Sequence, residues 1–278
     1  GKSSISVNAS SLSRNYTTVM KLINEIVLEP RWDKNEFDLI KQQTLSQIQQ
    51  QQASPRAIAG NEFDKLMFGN DHILAQNNLG TKESVDNITL EDLKNYYHKN
   101  ISPQITSFKI VGDITKNEVT SSLEILDKNW TSKEVVIPEI ASVDKPDTSK
   151  VYFYDVPNAK QSILKFGYPA LKSTDPDYYK VQILNYRLGG GGFASQLTQQ
   201  LREGKGYTYG IRSSFDGSPE SGSFSISSGV RSNVTFESTA LIRDILKNYG
   251  TSFTEEDLEV TKSYMIKSSA RAFESQGA

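Results

Sequence analysis

Residues 187–214 read Arg-Leu-Gly-Gly-Gly-Gly-Phe-Ala-Ser-Gln-Leu-Thr-Gln-Gln-Leu-Arg-Glu-Gly-Lys-Gly-Tyr-Thr-Tyr-Gly-Ile-Arg-Ser-Ser. The four glycines at 189–192 follow a helix-like run and supply the turn that ends it. A short amphipathic segment then closes on Leu201-Arg202, and Tyr209 follows seven residues later, at the start of a strand-like run. A guanidinium and a phenol at such a helix-to-strand corner can hold a peptide carbonyl, and a glycine run lets a second backbone come close. Arg202 and Tyr209 are therefore the first candidates for substrate binding. Tyr207 joins them because strand alternation puts it on the Tyr209 face. Gly190 and Gly191 join as a wall that a polypeptide can approach. Taken alone, Arg202 is a helix-end arginine and Tyr209 a half-buried strand tyrosine.

Working outward, the order of elements before residue 131 repeats in outline after residue 149. Towards the C-terminus, strands are predicted at 207–215 and 222–230, joined by a turn at Asp216-Gly217-Ser218-Pro219. Helices follow at 235–249 and 254–273, the second opened by the capping pair Thr254 and Asp257. Towards the N-terminus, strands are predicted at 150–156 and 161–167 and helices at 176–188 and 193–203. Residues 132–149 are rich in Ser, Lys, Pro and Asp and read as a linker. Ahead of them, alternation predicts strands at 4–9 and 105–111. Val19, Leu22, Ile23 and Ile26 mark a helix face. Asp33, Ser54-Pro55 and Thr89 with Asp92 mark further helix starts, and residues 115–130 are helical. Paired strands mixed with paired helices give an α+β fold, not a doubly wound sheet. The expected organisation is a helix-rich first half-domain over 1–131 that lacks its N-terminal part, a linker over 132–149, and a second half-domain over 150–278 carrying the glycine-rich segment.

Composition narrows the function. The chain has 278 residues, 36% hydrophobic and 23% charged, with a net charge of −2. That size buries a full core, and the charge argues against a nucleic-acid binder working through a basic face. No apolar stretch is long enough to span a membrane. There is no cysteine, which removes disulfides, thiolate zinc sites and cysteine nucleophiles. The two histidines, His72 and His98, lie 26 residues apart, so no helical pair of imidazole ligands one turn apart exists. No Gly-x-Ser-x-Gly elbow occurs, and the tetraglycine lacks the Lys-Ser/Thr pair of a phosphate loop. The first residues carry neither an initiator Met nor a signal peptide, so bacterial periplasm and cytoplasm are both compatible. A start on a strand and an end in a helix read as the edges of a fragment.

With these residues in view, Leu188 to Gly210 resembles the pitrilysin/insulinase family of zinc peptidases, the inverzincins. The match runs Leu188-Gly189-Gly190-Gly191-Gly192-Phe193-Ala194-Ser195-Gln196-Leu197, then Leu201-Arg202-Glu203-Gly204-Lys205-Gly206-Tyr207-Thr208-Tyr209-Gly210. Weaker likeness at Leu28-Glu29-Pro30, from Phe37 to Gln51, and from Ser84 to Gly112 extends it over nearly the whole chain. The resemblance implies a LuxS/MPP-like metallopeptidase fold of two half-domains with antiparallel or mixed sheets covered by helices. It implies one unit bearing His-x-x-Glu-His and a distant Glu, and an opposing zinc-free unit whose Arg/Tyr pair binds peptide. Arg202 and Tyr209 match that pair. Gln47 stands where the family has its ligand Glu, and a neutral amide is a poorer zinc ligand than a carboxylate. The resemblance thus implies a non-catalytic, peptide-binding portion of a bacterial zinc endopeptidase. This chain would hold no metal and be inactive alone, with zinc supplied by a complementary unit in the same polypeptide or in a partner subunit. A scaffold or partner subunit without a peptidase role is the alternative.

Overall fold

The computed structural model describes residues 2–274, and the fold is α+β, with nine α-helices and three strands among those residues. It divides into two packing units. The first holds residues 2–48 and Asn78–Glu139, and the second holds Gln49–Asn77 and Ile140–Glu274.

The first unit is built from α1 (Tyr16–Leu28), most of α2 (Lys34–Gln52), α4 (Lys82–Asn87), α5 (Leu90–Asn100) and α6 (Lys116–Asn129). Its helix starts follow sequence logic. Asp33 Oδ1 accepts from the Asn35 and Glu36 N–H groups at 2.8 and 3.0 Å and opens α2. Thr81 with Ser84, Thr89 with Asp92 and Thr115 with Glu118 form reciprocal capping boxes. The face that α1 buries differs from expectation. Met20 and Asn24 are buried, while Leu22 and Ile26 are exposed. α1 lies against α6, where Tyr16 Oη and Ser122 Oγ are 2.7 Å apart. The Tyr97 hydroxyl of α5 donates to the Val27 carbonyl, and the Trp32 ring meets Tyr97 edge-on. The strands expected at 4–9 and 105–111 do not form. Both segments lack a ladder partner among the described residues, and a strand needs one to satisfy its N–H and C=O groups.

The second unit carries the sheet. β1 (Gln161–Pro169), β2 (Thr208–Gly217) and β3 (Gly222–Arg231) form one antiparallel sheet in the order β1-β3-β2. Burial alternates strictly along β3: Gly222, Phe224, Ile226, Ser228 and Val230 face the core, and the odd-numbered residues face the other side. The core joins Ile226 and Phe224 to Leu188, Leu197, Leu201 and Ile211, and to Ile242 and Ile245 of α8 (Thr235–Ser252). Leu197, Leu201 and Ile242 are fully buried, each contributing roughly 1.5–3 kcal/mol. On the odd-numbered face, α3 (Pro55–Phe68) lies over β1. A Cβ at Gly167 would come within 2.6 Å of Phe63 and 3.0 Å of Met67, so the small residue permits that approach. α3 opens as its sequence predicts, with Pro55 in the first turn and Ser54 Oγ accepting from Ala57 N–H at 3.4 Å. The strand expected at 150–156 is absent. Val151 and Phe153 are 95% and 88% exposed, so that alternation has no buried face to serve.

Candidate functional site

The glycine-rich segment is reached from α7 (Tyr178–Asn185), which continues into a π-turn at Tyr186–Gly190. The wider turn shows in its backbone, where Gly191 N–H donates to the Tyr186 carbonyl at 2.7 Å, five residues back. α7 is tied to β2 by a buried reciprocal pair. Ser213 Oγ donates to Asn185 Oδ1 at 2.5 Å, and Asn185 Nδ2 donates to the Ser213 carbonyl at 3.0 Å. Gly189 sits at this crossing, where a Cβ would fall 2.3 Å from Ser213 Oγ and 2.9 Å from Leu197 Cδ1. Gly192 has φ +58°, the left-handed region that glycine adopts without strain. Ser195 Oγ then donates to the Gly192 carbonyl at 2.8 Å and receives Thr198 N–H at 3.4 Å, capping the next segment.

That segment, Thr198–Gly204, is a second π-turn, with Lys205 N–H donating to the Gln200 carbonyl at 3.1 Å. Such turns are rare and cluster at functional sites. Leu201 anchors it in the core, and the neighbouring residue, Arg202, points to solvent. The Arg202 guanidinium lies 4.5 Å from the centre of the Phe193 ring, a cation–π contact that fixes its direction. Its Nε is 3.4 Å from Glu203 Oε1, an exposed pair that adds little.

Tyr209 is placed by a β-bulge. Thr208 pairs with Val230 but Ile211 pairs with Ser228, so β2 carries one extra residue there. Thr208 Oγ1 secures the bulge by accepting from Gly210 N–H at 3.0 Å and lying 2.7 Å from the Gly229 carbonyl, to which it can donate. Tyr209 is thereby thrust outward and is 87% exposed.

Arg202 and Tyr209 line one cleft of about 710 Å3. Gly192, Phe193, Arg212, Ser227 and Arg56 complete most of its wall and floor. The remaining sequence candidates sit behind it. Tyr207 precedes β2, with its N–H on the Leu201 carbonyl at 2.9 Å, and is half-buried. Gly190 and Gly191 pack against Asn185 and Tyr186. Arg56, Phe193 and Arg212 are wall residues that motif reading missed. Phe193 and Arg212 lie within 187–214, whereas Arg56 comes from α3, far away in sequence, and only folding brings it to the cleft.

The turn is also clamped from the C-terminal side. Arg187 Nε donates to Asp257 Oδ1 at 2.6 Å, and Arg187 Nη1 donates to the Ala194 carbonyl. Asp257 also closes the capping box of α9 (Glu255–Ser269) with Thr254. Burial pushes the Asp257 carboxyl up, but the Thr254 N–H and hydroxyl and the Arg187 guanidinium together hold it below the ordinary carboxylate value.

A zinc ion does not fit the residues present. Among the described residues no group of three or more His, Cys, Asp or Glu is placed to hold a metal. His72 is committed elsewhere, its Nε2 donating to the Ala141 carbonyl at 3.0 Å and its Nδ1 accepting from Leu74 N–H at 3.1 Å. Gln47 is exposed on α2. No described helix is long and apolar enough to cross a membrane.

Comparison with known proteins identifies the family of the chain. Residues 87–265 match the peptidase M16 inactive domain family. The chain is 27% identical over 254 residues to the non-peptidase homologue YmxG of Helicobacter pylori, covering 88% of this chain and 56% of that protein. It is 24% identical over 267 residues to the uncharacterised zinc protease YmxG of Bacillus subtilis, covering 95% and 63%. The crystal structure of a peptidase M16 inactive domain from Pseudomonas fluorescens superposes with a TM-score of 0.82 at 25% identity, over 93% of this chain and 62% of that one. The chain thus spans a little over half the length of the curated relatives it matches.

Proposed function

This chain belongs to the peptidase M16 inactive domain family, and from that premise we propose that it is the peptide-holding unit of a zinc endopeptidase. The metal-bearing unit lies elsewhere, in the same polypeptide or in a partner subunit. The observation that carries the reading is the cleft that Arg202 and Tyr209 both line, each projected by an irregular backbone, a π-turn and a β-bulge. Arg202 offers a charge-assisted donor and Tyr209 a phenolic one. Two donors at one peptide carbonyl orient it and favour the negative charge it gains under attack. The division into half-domains over 1–131 and 150–278, joined by 132–149, belongs to the same proposal; residues 132–149 hold neither helix nor strand, and residues 49–77 belong to the second packing unit. Peptide turnover by the full-length enzyme tests it. Arg202→Ala or Tyr209→Phe lowers kcat/KM by about 10²-fold, the scale of losing one oxyanion donor. Unchanged turnover in both variants sinks the role.

A second reading is a scaffold subunit that pairs with a separate zinc chain. It is favoured by the name of the Helicobacter pylori relative, a non-peptidase homologue. It requires that Arg202→Ala change assembly with the zinc chain while leaving the turnover of the assembled enzyme alone.

A further inference from the structure

The cleft is basic far beyond what one arginine and one tyrosine require. Its wall carries Arg56, Arg202 and Arg212, and none of its lining residues is acidic. The sheet register explains how the charges converge. Arg212 of β2 and Lys165 of β1 both pair with Ser227 of β3 on the odd-numbered face; Arg212 lines the cleft, while the Lys165 ammonium lies over the Phe63 ring, outside its lining. Two strand spacings separate Arg212 from Lys165, about 9.5 Å. Arg231 lies on the same face at the end of β3. The carboxylate that shares this face, Asp216, lies four residues along β2 from Arg212 and accepts from Ser214 Oγ at 2.8 Å.

Arg56 reaches the cleft from above the sheet. Its Nη2 lies 3.7 Å from the point where a Cβ on Gly229 would stand, which places its head group over β3. It also sits in the first turn of α3, where the helix dipole disfavours a cation. Neither Arg56 nor Arg212 forms an ion pair with the described residues, and both are exposed. A net charge of −2 for the chain makes this local excess a feature of placement, not of composition. The floor between the arginines is Ser227 and Gly229, low enough for an extended chain to lie on.

We propose that the cleft selects peptides bearing a carboxylate: Arg202 and Tyr209 take the main chain, and Arg56 and Arg212 take an acidic group beside it. This rests on the peptide-holding reading above and adds the substrate class. Guanidinium forks bind carboxylates through two parallel hydrogen bonds, a geometry that a glutamine amide does not reproduce.

Fluorescence anisotropy with three labelled decapeptides tests it: a C-terminally amidated peptide with alternating Glu, the same peptide with Gln at those positions, and the Gln peptide with a free C-terminal carboxylate. The Glu peptide binds about tenfold more tightly than its amidated Gln counterpart, and the advantage shrinks as salt screens the exposed charges. Arg56→Gln and Arg212→Gln remove the advantage, weakening the Glu peptide far more than the amidated Gln peptide, and leave the melting temperature unchanged because both residues are exposed. A gain confined to the free-acid Gln peptide assigns the carboxylate to the chain end and keeps carboxylate recognition. Equal, measurable binding of all three overturns the acidic preference and leaves peptide holding intact. If none binds, the peptide-holding reading falls and this inference falls with it.

Discussion

At Gly189 a single hydrogen decides whether α7 and β2 can meet. Any side chain there collides with Ser213 Oγ at 2.3 Å, with Ser213 N at 2.7 Å and with Leu197 Cδ1 at 2.9 Å. Two of these atoms belong to the buried Asn185–Ser213 pair, which has no room to yield. Gly189→Ala is expected to destabilise the protein by about 1–3 kcal/mol, as overpacking does, and urea unfolding checks it. A change under about 0.5 kcal/mol, the range of ordinary surface substitutions, would contradict this packing. The other glycines of the run are not equivalent. Gly192 is held by its φ of +58°, so alanine there strains the backbone without a collision. Motif reading saw four glycines and an Arg/Tyr pair because they fall within one short stretch of sequence. The ring of Phe193 under Arg202 was not legible, because nothing in the spacing of the two says that a π-turn will fold one onto the other.

Among the elements, helix starts were the most legible feature and unpaired strands the least. Capping at Ser54, Thr89, Thr115 and Thr254 uses groups within three residues of one another, so local sequence contains the whole interaction. A strand is completed by a partner distant in sequence. The alternation at 4–9, 105–111 and 150–156 therefore states a propensity and no more. The packing of α3 on β1, which brings Arg56 to the cleft, left no local trace either. The junction of α9 with the glycine turn has a pH signature at each end. Burial raises the Asp257 pKa, but the Thr254 hydrogen bonds and the Arg187 guanidinium hold it below its unfolded value of 3.8, so these contacts together stabilise the fold above that value. The contribution is lost as pH falls through the folded pKa. Tyr249 has the opposite sign. Burial raises its pKa from 10.0 to about 12 while its hydroxyl donates to the Leu184 carbonyl at 2.6 Å. Its contribution is complete below pH 10 and lost as pH rises towards 12. Melting temperature against pH should show both slopes. Asp257→Asn should reduce the acid slope, which Asp33, Asp92 and Glu118 share, and Tyr249→Phe the alkaline one, which Tyr97, Tyr168 and Tyr186 share.

For the whole molecule, the decisive question is where the metal belongs. Zinc bound by a folded protein contributes its binding free energy to folding, so a resident site makes stability depend on the metal. Here the described residues offer no group of three or more ligands, and His72 already donates to one backbone group and accepts from another. The stability of this chain comes instead from the core of Leu188, Leu197, Leu201, Ile226 and Ile242 and from the helix caps. Its melting temperature is therefore expected to stay within about 1 °C on adding EDTA, well under the shift that 1 kcal/mol would cause. Calorimetric titration with zinc should show no stoichiometric tight site. On the proposed reading the full-length protein provides the contrast: EDTA should abolish its peptide turnover without abolishing binding of an acidic peptide to the Arg56, Arg202 and Arg212 cleft. Loss of both together would mean that the cleft depends on the metal unit for its shape. Loss of turnover alone separates holding from hydrolysis, which is the division of labour that the positions of Arg202 and Tyr209 support.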